Sequence, residues 1–169
     1  YAASLGDLQA LATFTSRYME SVVENKSAGT RTVTRLTIKP PNRLLVEEDT
    51  PGIGLSARGY DGTTGWSTSE VEGYRELTAL ASMQGPIGTY YFSKENGRLL
   101  RVDGVATYGT HSSVPMQVEF SDFRLVDGVL FPFVITATNP AMRLVTTVTL
   151  LKHNIPVDDA IFRPRKDED

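Results

Sequence analysis

The chain has 169 residues, of which 40% are hydrophobic and 22% charged, with a formal net charge of -3 and a pI near 5.4. Residues 1–169 read as one domain long enough to bury a core, and the acidic balance gives no electrostatic case for binding nucleic acid or an anionic membrane surface. Cysteine is absent, which excludes disulfides and thiol chemistry, and no apolar run is long enough to cross a bilayer as a helix.

The chain opens with Tyr1 and has no basic-then-apolar leader. It reads as a mature or trimmed segment, with any targeting signal outside it. Leu5, Leu8, Leu11 and Ala12 recur at helical spacing, so an amphipathic helix is expected over Ala2 to Phe14. From Arg17 the pattern changes to strands, first Arg17 to Glu24 and then Thr30 to Ile38 after the polar connection 25–29. In the second strand Thr32, Thr34, Leu36 and Ile38 face one way, and Arg31, Val33, Arg35 and Thr37 the other. Pro40-Pro41 breaks that run, because proline has no N–H to give to a ladder. Arg43 to Glu48 is the next strand.

Asp61-Gly62 is a hairpin signal, since Gly takes positive φ without steric cost and Asp tolerates it. The strand leaving this turn carries Trp66, the sole Trp of the chain. Its large ring suits either a core or a ligand wall, and its indole N–H needs a partner. Glu70 to Ala81 allows a short helix or an irregular crossing, ended by Gly85-Pro86. Strand patterns then resume at Thr89–Phe92 and Leu99–Val102 around the Asn96-Gly97 turn, with a further turn expected at Asp103-Gly104. Met116, Val118 and Phe120 alternate with polar residues. Asp127-Gly128 leads into Val129 to Thr138, and Asn139-Pro140 into Met142 to Leu151. An extended tail, Ile155 to Pro164, precedes a charged end at 166–169.

Short turns joining neighbouring strands argue for an antiparallel meander. The expected fold is mainly β (α+β): an open antiparallel half-barrel with the N-terminal helix packed on its concave face, with a closed barrel or a sandwich as the alternatives, because sequence does not fix curvature. The supply of convergent titratable groups is poor. His111 and His153 read as surface or turn histidines, and the adjacent pair Asp158-Asp159 as a solvated turn. Zinc spacing, a phosphate-cradling glycine loop and a nucleophile elbow are all missing from the sequence. The reading is therefore a non-catalytic protein that needs no cofactor and no metal. What remains is apolar strand surface. The residues expected to line a hydrophobic cavity are Trp66, Leu36, Leu45, Tyr91, Leu100, Val118, Phe120, Phe133 and Ile135.

Several segments, in order, resemble the LolA-like superfamily of periplasmic lipoprotein carriers and outer-membrane lipoprotein-sorting proteins. They are Ile38-Lys39-Pro40-Pro41-Asn42-Arg43, the Asp61-Gly62…Trp66 hairpin, Tyr91-Phe92…Gly97-Arg98-Leu99-Leu100-Arg101-Val102, the run from Phe120 to Pro132, and Asn154…Val157-Asp158-Asp159…Phe162. The resemblance implies an incomplete antiparallel barrel lidded by helices, a cavity for lipid chains and a periplasmic address. The carriers have an Arg in the Lys-x-Pro-Asn segment where this chain has Pro40, and the stretch from Leu80 to Tyr90 is shorter than usual in the family. The favoured function is binding of a lipid or of lipoprotein acyl chains, with an envelope protein as a further partner. A non-catalytic sensor or accessory module on the same fold is the alternative.

Overall fold

In a computed structural model of the chain, residues 12–77, 88–108 and 112–165 are described. They form eleven strands: β1 (Arg17–Asn25), β2 (Thr30–Lys39), β3 (Arg43–Thr50), β4 (Gly54–Tyr60), β5 (Gly65–Ser69), β6 (Gly73–Leu77), β7 (Gly88–Phe92), β8 (Leu99–Tyr108), β9 (Ser112–Val126), β10 (Val129–Thr138) and β11 (Arg143–His153). A short 3-10 helix, Asp159–Phe162, follows. The strands make one open antiparallel sheet in the order β6-β5-β4-β3-β2-β1-β11-β10-β9-β8-β7. Nearly all of the helix expected over Ala2 to Phe14 lies outside the described residues, as do 78–81 and the charged end at 166–169. The strand contacts cluster into two compact units.

Of the described residues, one unit comprises 14–22, 31–77 and 149–165. Its centre is Trp66, fully buried, in a cluster with Leu45, Ala57 and Phe162 against which Tyr74, Val157 and Ile161 pack. Trp66 lies directly across the β4–β5 ladder from Gly59. A Cβ at Gly59 would stand 2.5 Å from the indole Cε2, so glycine is what lets the ring lie flat over the neighbouring strand. The indole Nε1–H donates to the Phe162 carbonyl at 2.8 Å. That bond satisfies the one polar atom of the ring and fixes the 3-10 helix on the sheet. The hairpin before it is a loop of residues 61–64 closed by Asp61, whose Oδ1 accepts from the Thr63 and Thr64 amides at 2.8 Å. Those amide donors, Thr64 foremost, hold the Asp61 carboxyl below the usual range.

Of the described residues, the other unit comprises 12–13, 23–30, 88–108 and 112–148. β9 pairs β10 from Gln117↔Thr138 to Val126↔Val129, closed by Asp127 and Gly128, both at positive φ. β8 pairs β9 from Arg101↔Glu119 to Tyr108↔Ser112, and β7 covers the first half of β8.

Three expectations need correcting. Asp103-Gly104 is not a turn: β8 runs through it, with Thr89 and Gln117 opposite Asp103 and with Gly88 and Met116 opposite Gly104. The glycines serve close approach instead, since a Cβ at Gly88 would stand 2.0 Å from the Asp103 carbonyl oxygen. Residues 73–77 are neither helix nor irregular but the strand β6, entered through Gly73 at φ 65 and paired to β5. The tail is not extended throughout, because Asp158 caps a 3-10 turn by accepting from the Ala160 amide at 2.9 Å.

The packing around Trp66 makes two substitutions informative. Gly59→Ala should lower stability by about 1–3 kcal/mol through overpacking, and Trp66→Ala by about 3–5 kcal/mol through the cavity it leaves. Denaturant unfolding, followed by circular dichroism so that the signal survives loss of the Trp, measures both.

Candidate functional site

Strand register sorts the expected cavity residues by face. In the unit that holds β7 to β10, Ile135 stands opposite Phe120 and Thr146, and Ala137 opposite Val118 and Leu144. Val118 in turn stands opposite Val102 and Val102 opposite Tyr90. Side chains alternate along a strand, so Phe133, two residues before Ile135, projects to this same side, whereas Leu100 falls at an irregularity of the β7–β8 ladder, between Tyr91↔Arg101 and Phe92↔Leu99. Val118, Phe120, Phe133 and Ile135 are therefore gathered on one apolar face, and the register does not assign Leu100 to it. Val102, Phe133 and Val148 are buried on it, while Tyr90 remains 49% exposed.

Tyr91 belongs to the other side. It stands opposite Arg101, which is opposite Glu119, and the Arg101 guanidinium lies 4.7 Å from the Tyr91 ring centroid. Arg101 also holds Asp103, with Nε 2.6 Å from Oδ1. This pairing keeps the Asp103 carboxyl below the usual range. Gln117, Glu119 and Thr136 share that wetted side, so the two faces of the unit differ sharply in chemistry.

In the unit built around Trp66, Leu45 and Trp66 lie on one face, each across a strand from Gly59. Both are buried in the packed cluster. Leu36 projects to the opposite face, across from Val46, and is half-buried. A cavity of about 400 Å³ opens beside Leu45, under the tail, between Val157, Ile161 and Thr37. Glu47 and Arg165 close one side of it with a 2.8 Å ion pair. Arg165 also lies over the Trp66 ring, 5.8 Å from its centroid.

Sequence reasoning missed the network that straps the tail down. Lys39 Nζ donates to the Val157 carbonyl at 2.9 Å and to Asp159 Oδ1 at 2.6 Å, and Arg43 lies 3.4 Å from Asp159 Oδ2. Asp159 is thus an ion-pair partner rather than part of a solvated turn, and its carboxyl sits below the usual range chiefly because Lys39 bonds it. His153 is also not a surface histidine. It is buried at the end of β11, its ring stacks on Phe14 at 3.8 Å, and its Nε2 accepts from Arg17 Nε at 3.3 Å. Its place beside an alternating strand was the available signal. His111 lies outside the described residues. Among the described residues no group of three or more His, Asp or Glu side chains is arranged to hold a metal ion.

No protein-family model and no curated protein matches the chain. Solved structures do match it in fold. A DUF1329 family protein from Desulfovibrio piger superposes with a TM-score of 0.67 at 13% identity, covering 92% of both chains. A LolA superfamily protein from Nitrosomonas europaea gives 0.63 at 12% identity, covering 89% of this chain and 91% of its own. An outer membrane lipoprotein-sorting protein domain from Vibrio parahaemolyticus gives 0.59 at 10% identity, covering 87% and 88%. The chain has a LolA-like fold.

The Asp159 strap makes stability depend on pH. A carboxyl held below its unfolded value contributes stability above the ordinary Asp pKa of about 4 and loses it as pH falls through the folded value. The thermal midpoint should therefore fall between neutral pH and pH 3. In Asp159→Asn the same acidification should cost less; an unchanged slope in that variant would show that the strap does not contribute.

Proposed function

We propose that the protein binds a hydrophobic ligand, the acyl chains of a lipid or of a lipoprotein, on the apolar face of the β7–β11 unit. The observation that carries this reading is the contrast between the two sides of one set of strands. Phe120, Val118, Ile135 and Phe133 share a side that is largely free of charge, whereas Arg101, Asp103 and Glu119 occupy the other. Burying apolar area is non-directional and contributes roughly 25 cal/mol per Å², so a flexible chain gains affinity along such a face without demanding exact geometry. The LolA-like fold supports the same reading, because one neighbour of that fold is named as an outer membrane lipoprotein-sorting protein domain.

In this reading residues 1–169 form one domain, the open sheet curves as a half-barrel, and the protein works in the periplasm without catalysing a reaction. The ligand-contacting residues are Phe120, Val118, Ile135 and Phe133. Leu45 and Trp66 serve the packed core of the other unit.

Purification from a bacterial envelope followed by native mass spectrometry should show bound lipid. Phe120→Ser should then weaken uptake of a fluorescent acyl probe by about tenfold or more, the effect of losing one large apolar contact. Tyr91→Ala, on the wetted face, should leave uptake unchanged. Folded protein that carries no lipid and takes up no probe would remove the carrier reading and leave an accessory protein-binding module on the same fold.

A further inference from the structure

One ion pair interrupts the apolar face. Arg124 stands opposite Phe131 in the β9–β10 ladder, and its guanidinium lies 4.4 Å from the Phe133 ring centroid. It is therefore on the apolar side, next to Phe120. Asp122 bonds it twice, Nε to Oδ1 at 3.2 Å and Nη2 to Oδ2 at 2.6 Å. The pair sits where β9 outruns its neighbour: the β8–β9 ladder ends at Arg101↔Glu119, while β9 continues to Val126 paired only to β10. Both side chains are open to solvent, Arg124 56% and Asp122 41% exposed.

Asp122 has φ 50, a left-handed conformation in the middle of a 15-residue strand. Such a backbone is costly for a non-glycine residue. The ion pair alone does not require it. Arg101 and Asp103 form the same two-residue-spaced pair on the wetted face, and neither has positive φ. What differs at Asp122–Arg124 is the place, a charged spot within an apolar face, where β9 has run past its β8 neighbour.

We infer that the Asp122–Arg124 pair is the headgroup seat of the ligand proposed above, and that it selects a zwitterionic amphiphile whose phosphate meets Arg124 and whose ammonium meets Asp122. The inference rests on the carrier reading and goes on to name the class of ligand. Arg124 keeps N–H donors beyond the two that Asp122 engages, and a guanidinium fits phosphate oxygens in a fork. A bare anion there would face the Asp122 carboxylate, and a bare cation would face Arg124. A headgroup carrying both charges matches both partners at once, while its acyl chain runs from this spot along Phe120 and Val118. That path is about 13 Å from Asp122 to Val118 at the usual rise per strand residue. Arg124 holds the Asp122 carboxyl below the usual range and is itself raised by it, so both groups stay charged around neutral pH.

The test titrates the full chain calorimetrically with three single-chain amphiphiles of equal length, each below its micelle concentration: a lysophosphatidylethanolamine, a monoacylglycerol and a fatty acid. Wild type should bind the zwitterion about tenfold more tightly than the uncharged monoacylglycerol, the scale of one charge-assisted contact. Arg124→Met and Asp122→Asn should each remove that preference, and Arg101→Met should keep it. Asn tolerates the left-handed backbone and both sites are exposed, so the variants should melt like wild type. Equal binding of zwitterion and monoacylglycerol overturns the headgroup seat and leaves the carrier reading standing. A zwitterion preference that survives both substitutions also overturns it. Fatty acid binding as tightly as the zwitterion, and more tightly still in Asp122→Asn, would mean a plain anion site and overturn the selectivity. No binding of any of the three overturns the seat and the carrier reading together.

Discussion

A strand paired on both sides leaves its side chains only two directions, and the two contrasting faces of the β7–β11 ladders follow from that restriction. Once Ile135 is opposite Phe120 and Val118 opposite Val102, no local adjustment can move one of them to the other face without slipping the whole ladder. The turns set that register. Asp127-Gly128, with both residues at positive φ, fixes where β10 begins against β9, and the apolar face is assembled as a consequence. The same restriction keeps Arg101, Asp103 and Glu119 together on the wetted side. Sorting of this kind needs no lid to create it.

The second compact unit solves a different problem. A Trp ring lying across a sheet needs a flat floor, a cover and a partner for its N–H, and the chain supplies these from three distant places. Gly59 is the floor, the tail from Val157 to Phe162 is the cover, and the Phe162 carbonyl is the partner. The ion pairs of Lys39 and Arg43 with Asp159 and the Arg165–Glu47 pair are half-exposed, so each contributes little alone. Their effect is to hold a segment with almost no regular structure of its own in one position over the indole.

Much of this was legible before the structure. The strand run Val129 to Thr138 could be read to its ends, because Asp127-Gly128 and Asn139-Pro140 bracket it with unambiguous turn chemistry. The Asp61-Gly62 and Asn96-Gly97 hairpins were legible for the same reason. Asp103-Gly104 misled because glycine serves two purposes, turning a chain and letting two backbones approach, and only the partner strand decides between them. β6 was hidden because Arg75, Glu76 and Leu77 are good helix formers in isolation, and pairing with β5 overrides that preference. The faces were the harder part. Alternation within a strand is visible in sequence, but the phase between strands depends on how many residues each connection absorbs. Tyr91 could therefore be grouped with Val118, and Leu36 with Leu45, although the ladders place each pair on opposite sides. The tail's attachment was not legible at all, since Lys39–Asp159 and Trp66–Phe162 are contacts between residues far apart in sequence.

Gly59 and Trp66 are also tied as a pair of choices. With the indole in place, position 59 admits no side chain; with a small residue at 66, the bare floor at 59 would serve nothing and a β-branched residue there would make a better strand. The two positions are thus coupled in sequence space across a single ladder rung. Related chains that keep the aromatic should keep the glycine, and those that lose one should be released from the other. Such linked variation would mark which members of a divergent group have retained the strapped tail, even where overall identity has faded too far for the segments to be aligned by eye.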